Sequence, residues 1–244
     1  MVKQLDFVAY RKLKALQIDF SESVNIIAGT NGTCKSSILH LISNSYQKIK
    51  TTSQYVTDAE AIRVISKINR ILNPKIEGLT RGDKAYNNPA PGVSGTLYKC
   101  IYDNTYELNF RRHNASDNKR FAIKPEYKVG NNDALPMMPV IYLGLFRLFA
   151  FGEFSDDESI KNISKKLPTE IKKELSSLYN AFTGYNIELE KLNEMGGIKN
   201  RADFETDMKG IDSNTISAGE DNLFIILLSL VSLKYYFDSI NSNN

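Results

Sequence analysis

The sequence predicts an α/β fold, and three features point to it. A short apolar run, residues 24–28, has the composition of a strand buried inside a sheet. A turn bearing Gly29, Asn31 and Gly32 follows at once, and then a helical face made by Ile38, Leu39, Leu41 and Ile42. Alternating strand patterns near the N-terminus and over residues 95–127 stand beside helical spacings further along. With 244 residues, 42% hydrophobic and 24% charged, the chain has enough apolar material for a core and reads as a single domain with insertions, not a disordered polymer.

The elements follow in order. Leu5, Phe7 and Val8, then Leu13, Leu16, Ile18 and Phe20, read as strand, turn at Tyr10-Arg11-Lys12, strand, with a second turn at Ser21-Glu22-Ser23. After the strand at 24–28, a helix covers residues 36–46. Residues 47–94 read as an insertion of helix and loop. Its helix starts at a Thr57-x-x-Glu60 capping box, continues through Ala61, Val64, Ile65, Ile68 and Leu72, and stops at Asn73-Pro74. Residues 95–110 form a hairpin turning at Asp103-Asn104, residues 120–127 a further strand, and residues 139–143 another buried strand.

Residues 152–210 are polar and predict a helical lobe. Pro168 opens a helix whose stripe is Ile171, Leu175, Leu178 and Phe182, and Gly184 closes it. Residues 220–237 are apolar almost all round and predict a buried helix.

Composition narrows the function. The chain carries 31 basic and 28 acidic residues, a net charge of +3, too close to neutral to imply a nucleic-acid partner by itself. Two cysteines are too few for a disulfide scaffold, and two histidines make a structural zinc site a poor reading. The opening Met1-Val2-Lys3-Gln4-Leu5-Asp6 lacks the apolar core of a secretory signal. The longest apolar stretch, residues 223–233, is about half of the roughly 20 residues a bilayer span needs. The expectation is a soluble, reduced, cytoplasmic protein with no membrane partner.

Gly29-Thr30-Asn31-Gly32-Thr33-Cys34-Lys35-Ser36 has the spacing of a phosphate-binding P-loop, G-x-x-x-x-G-K-[ST], with Cys34 where the second motif glycine belongs. The spacing has a chemical reason. Glycines let backbone N–H groups approach phosphate oxygens, and the helix that follows directs unsatisfied N–H groups and its positive dipole end at the same anion. In this reading Lys35 is the catalytic cation on the β- and γ-phosphates of ATP, and the Ser36 hydroxyl is a ligand of Mg²⁺. The bland reading is a Gly/Asn turn between strand and helix. Cys34 reads either as a tolerated small residue that crowds the β-phosphate or as a thiol activated at a helix start.

Ile216-Ser217-Ala218-Gly219-Glu220 opens the last helix. Alone, Ser217-x-x-Glu220 is a capping box. Taken with the P-loop, it resembles the LSGGQ-like signature of the ABC-type ATPase heads of the RecF, SMC and OLD families, with Ala for the first Gly and Glu for Gln. Gly29-x-Asn31-Gly32-x-x-Lys35-Ser36-Ser37 resembles the Walker A of those families, and Phe7-Val8-Ala9-Tyr10-Arg11 resembles the segment after their first strand.

The resemblance implies an α/β P-loop NTPase fold of ABC-head type, with an N-terminal antiparallel β portion and a helical lobe, and a site of Arg11, residues 29–37, Ser217 and Gly219. It implies a homodimer or higher homo-oligomer in which ATP is sandwiched between heads, Lys35 of one facing Ser217 and the Gly219 backbone of the other. Its flavour is that of ATPases of bacterial anti-phage defence, which implies a nuclease partner. Arg11 reads as a phosphate contact by resemblance and as an exposed turn residue by itself. Arg147 stands where such heads place a Q-loop or its equivalent.

An acidic Walker B strand is expected after the signature, and no Asp-Glu pair follows residue 233. The chain therefore reads as a head incomplete at its C-terminus, expected to bind ATP–Mg²⁺ and hydrolyse it poorly. The run Asp156-Asp157-Glu158 reads as solvated surface. Two other readings stand beside this one. In the first, DNA binds through Arg111, Arg112, His113, Lys119 and Arg120 near Phe110 and Phe121, a segment that otherwise reads as a solvated hairpin end. In the second, the chain is a nucleotide-independent scaffold.

Overall fold

The structure is a computed structural model that describes residues 1–47, 57–60, 62–63, 88–103, 106–114, 121–127, 135–138, 140–148, 160–162, 167–195 and 199–238. It is a mixed α/β structure. The chain divides into two compact units, one of Met1–Gln47 with Pro74–Pro136 and one of Lys48–Asn73 with Met137–Asn244. The expected insertion at 47–94 falls mostly outside the described residues; within it, residues 59, 60, 62 and 63 are helical.

The first unit is built on a five-stranded sheet in the order β2-β1-β3-β4-β5, antiparallel throughout. Its strands are β1 (Gln4–Tyr10), β2 (Leu13–Asp19), β3 (Thr96–Ile101), β4 (Glu107–Asn114) and β5 (Phe121–Pro125). Alternation made the first hairpin legible. Leu5, Phe7 and Ala9 are buried and Asp6 and Val8 exposed, so one face of β1 meets the core and the other meets water. On β3 and β4 the rings carry the packing: Tyr98 stacks on Phe110 at a centroid distance of 4.7 Å and lies 5.9 Å from Phe7.

Helix α1 (Lys35–Asn44) lays Ile38 and Leu41 into this same core. Its far end is tied to the unit by hydrogen bonds. The Tyr102 hydroxyl donates to the Ser45 carbonyl at 2.6 Å, and the Val2 amide donates to the Tyr46 hydroxyl at 2.5 Å. Burial pushes the neighbouring Cys100 thiol up to about 11, so it stays protonated and inert at neutral pH.

The run at 24–28 departs from expectation. It is irregular, with Val24 and Ile26 exposed at 78% and 87%, where the sequence predicts a buried strand. A strand is buried only when neighbours take its N–H and C=O groups and cover its faces. Among the described residues no strand pairs with it, and none of the strand pairs is parallel.

The second unit contains β6 (Ile160–Asn162), α2 (Thr169–Thr183), β7 (Ile187–Met195), β8 (Lys199–Thr206) and α3 (Ala218–Asp238). Its three strands pair antiparallel in the order β6-β7-β8. The helical lobe expected over 152–210 is therefore only partly helical. Pro168 does open α2, and Gly184 closes it in the left-handed conformation at φ 74. Its buried stripe is Ile171, Leu175 and Tyr179, and Phe182, placed on the stripe by the sequence, is 68% exposed.

The β7–β8 hairpin leaves no clear pattern in the sequence because a register irregularity between Leu189 and Lys191 breaks the alternation. The buried residues Ile187, Leu189 and Leu192 thus show no clean period of two. Of residues 139–143, expected as a buried strand, 140–143 are irregular and 139 lies outside the described residues; the chain then enters a 3₁₀ turn, Leu145–Leu148. α3 buries Phe224, Ile225, Leu227, Leu228 and Val231, close to the all-round burial its composition predicts, while Leu230 and Phe237 stay 58% and 60% exposed. No helix among the described residues is long and apolar enough to cross a membrane.

Candidate functional site

In the first unit the loop of residues 29–34 runs into α1, and its backbone takes the conformations that its glycines permit. Gly32 has φ 79, and Gly29 has φ 153 with Thr33 Oγ1 only 3.0 Å from where a Cβ would stand. The Thr33 hydroxyl closes the loop by donating to the Thr30 carbonyl at 2.8 Å. Lys35, the first residue of α1, folds its ammonium back into the loop and donates to the Gly29 carbonyl at 2.8 Å and the Thr30 carbonyl at 2.7 Å.

No backbone N–H from Gly29 through Ser37 donates to a described protein acceptor. The first intrahelical donor is Ile38, whose amide reaches the Cys34 carbonyl at 3.0 Å. Asn31, Gly32, Thr33 and Ser36 are exposed. The site is thus a solvent-facing run of amide donors at a helix N-terminus, with an ammonium at its side.

Cys34 occupies the N-cap of α1 with φ 67 and ψ 17, so it takes the left-handed conformation a motif glycine would take. A Cβ in that region costs roughly 1–2 kcal/mol. Replacing Cys34 with glycine is expected to raise the unfolding free energy by about 1 kcal/mol, and Cys34→Val to lower it by a similar amount. Urea denaturation of both variants checks this, and destabilisation by Cys34→Gly would contradict it.

The serines separate into two roles. Ser36 is exposed, and its hydroxyl makes no hydrogen bond with a described residue, so it is available to a cation. Ser37 is buried and accepts a hydrogen bond from Arg11 Nη1 at 3.0 Å. The Ser37 hydroxyl is turned to the β1–β2 turn. Arg11 lies at the start of α1 with its guanidinium on Ser37. Its backbone sits at φ 55, and its amide donates to the Pro89 carbonyl at 2.6 Å. His40, one turn along α1, is buried, and burial together with the Arg11 charge lowers its pKa to about 4.

One residue of the site was missed. Lys12, beside Arg11 in the turn, places its Nζ 3.5 Å from where a Cβ on Gly32 would stand. A turn lysine reads as ordinary solvated surface. Only the seating of this turn against the loop distinguishes it.

In the second unit Ser217 and Gly219 are exposed at the start of α3. The capping box is formed reciprocally. The Glu220 amide donates to Ser217 Oγ at 3.2 Å, the Ser217 amide donates to Glu220 Oε2 at 2.6 Å, and the Tyr185 hydroxyl donates to Glu220 Oε1. The Tyr185 bond lowers the Glu220 pKa. The segment before Ser217 is held by the buried Arg201, which donates to the Ser213 carbonyl and, at 2.6 Å, to Asn214 Oδ1. Sequence reading did not single out Arg201, because nothing in a strand pattern marks an inward-facing arginine.

Other candidates are placed as follows. Arg147 lies in the 3₁₀ turn. Arg111 and Arg112 lie on β4, exposed and half-buried respectively, and Lys119 and Arg120 lie outside the described residues, as do residues 156–158. Among the described residues no group of His, Cys, Asp and Glu could hold a metal ion. No protein-family model matches the chain, and no curated protein matches it.

Proposed function

We propose that this chain binds ATP with Mg²⁺ through the loop of residues 29–37, in the manner of a P-loop. The reading is carried by one observation: an uninterrupted run of backbone N–H groups, Gly29 through Ser37, without acceptors among the described residues, adjoining a lysine ammonium. Amides and ammonium donate and never accept, so the chemistry they fit is an anion with many acceptor oxygens. Gly32 and Cys34 in the left-handed region support the same reading, because turns that include such residues aim successive amides into one anion-binding concavity.

The residues present fit the cation as well. Ser36 offers an unengaged hydroxyl at the right place in the motif for Mg²⁺, which takes few protein ligands and keeps several waters. When bound, the ion neutralises charge on the phosphates. Lys35 leaves its two carbonyls for phosphate oxygens, the loop amides orient the tail, and Thr33 and Thr30 hold the loop closed. Calorimetric titration with ATP should show saturable binding that weakens sharply when Mg²⁺ is withheld. No heat of binding at millimolar MgATP would overturn the reading.

The proposal extends to an ABC-type head, in which two copies close on ATP and Ser217 with the Gly219 backbone contacts the nucleotide held by the other copy. The exposure of both residues at the N-terminus of α3 supports it. Light scattering should show MgATP-dependent dimers of the native chain and none of Ser217→Arg. Dimers unaffected by nucleotide or by that substitution would contradict this extension and leave the loop reading intact.

A further inference from the structure

The β1–β2 turn carries two cations, and the structure gives them different work. Tyr10 pairs with Leu13, so Arg11 and Lys12 make the turn. Arg11 is committed to the protein: its amide is on Pro89 and its guanidinium on Ser37. The first bond fixes the turn to the segment at Pro89, and the second fixes it to the start of α1. Lys12 is then carried to the loop, with its ammonium 3.5 Å from where a Cβ on Gly32 would stand. Lys12 is exposed and has no hydrogen bond or ion pair with a described residue.

Two ammonium groups therefore lie against one short loop, at different residues. Lys35 sits on the Gly29 and Thr30 carbonyls, and Lys12 sits beside Gly32. Neither is in an ion pair with a described carboxylate. Like charges gathered on a run of unsatisfied donors repel one another until an anion arrives, and the repulsion relieved grows with the anion's charge. One phosphate does not need two separate ammonium groups; a chain of phosphates can use both.

Resting on the loop reading above, we propose that Lys12 is a specificity-determining residue that contacts the terminal phosphate and makes the site prefer a nucleoside triphosphate over a diphosphate. Arg11 is the positioning residue that holds the turn in place. The contact is a charge-assisted hydrogen bond at a solvent-facing site, at the weaker end of its class.

The test is binding of MgATP and MgADP to the full chain and to Lys12→Gln, Lys12→Arg and Lys35→Ala, with far-UV circular dichroism to verify folding. Lys12→Gln should weaken MgATP about tenfold and MgADP less than twofold, and Lys12→Arg should retain most of the preference. Equal weakening of both nucleotides, or no change in either while Lys35→Ala abolishes binding, overturns the role of Lys12 and leaves the loop reading standing. If the native chain binds neither nucleotide, both readings fall together.

Discussion

Lys35→Ala is expected to weaken MgATP binding at least a hundredfold while leaving the fold intact. Its ammonium is the one group in the loop that carries a full charge and touches the loop backbone, with donors 2.8 and 2.7 Å from the Gly29 and Thr30 carbonyls. A charge-assisted contact to phosphate contributes about 1.5–3 kcal/mol, and Lys35 would make more than one. Truncation removes them together and also frees the two carbonyls to swing toward the anion, where they repel it. The loop is largely exposed, so little packing is lost, and the melting temperature should move by only a few degrees. Lys35→Arg keeps the charge but not the compact shape, and intermediate affinity is expected. Affinity of Lys35→Ala within threefold of native would sink the assignment of this lysine.

The second large effect is a loss of stability in mild acid, traced to His40. Burial first, and the Arg11 charge second, lower its pKa from 6.5 to about 4. The unfolded chain takes a proton at this histidine near pH 6.5, whereas the folded chain does not until near pH 4. Between those values the unfolded state binds more protons, so stability is fully present above pH 6.5 and falls as the pH drops toward 4. The full shift corresponds to roughly 3 kcal/mol, and screening near the surface reduces the expected loss to about 2 kcal/mol. Denaturation midpoints at pH 7 and pH 4.5 measure it. His40→Gln should flatten the slope over that window, whatever its effect at pH 7, and an unchanged slope would show that other groups carry the acid response.

His40 also links stability to the site. Arg11 reaches Ser37 on the first turn of α1 and bears electrostatically on His40 one turn further along. Protonating His40 would place a new positive charge behind a loop already carrying Lys12 and Lys35. Acid should therefore loosen the start of α1 before it unfolds the sheet.

How far the sequence reveals this molecule depends on where its signals are local. The β1–β2 and β3–β4 hairpins were legible because alternation and turn residues are written in consecutive positions. The ends of α2 were legible for the same reason, Pro168 presetting the entry and Gly184 supplying the left-handed exit. The capping box at Ser217 and Glu220 is equally local, its two reciprocal bonds joining residues three positions apart. The β7–β8 hairpin was not legible, because one irregularity moved Leu192 out of step with Ile187 and Leu189.

The apolar run at 24–28 teaches a different lesson. Composition says what a segment could bury, and only neighbouring strands decide whether it is buried; here Ile26 stands 87% exposed. In the candidate site, the motif spacing singles out residues 29–36, but it carries neither the positive φ of Cys34 nor the turning of Ser37 to Arg11 while the Ser36 hydroxyl bonds to no described residue. Lys12 was invisible for a related reason. Its proximity to Gly32 comes from the pinning of a turn by Arg11, a contact separated by 26 positions in the chain.

The central claim is that the backbone amides of residues 29–37 hold a triphosphate tail. Amide chemical shifts of the ¹⁵N-labelled chain, followed while MgATP is added, test it most directly. The largest saturable changes should fall on Gly29 through Ser37, with Lys12 moving in ATP and barely in ADP. Changes confined to other residues, or none at millimolar nucleotide, would contradict it.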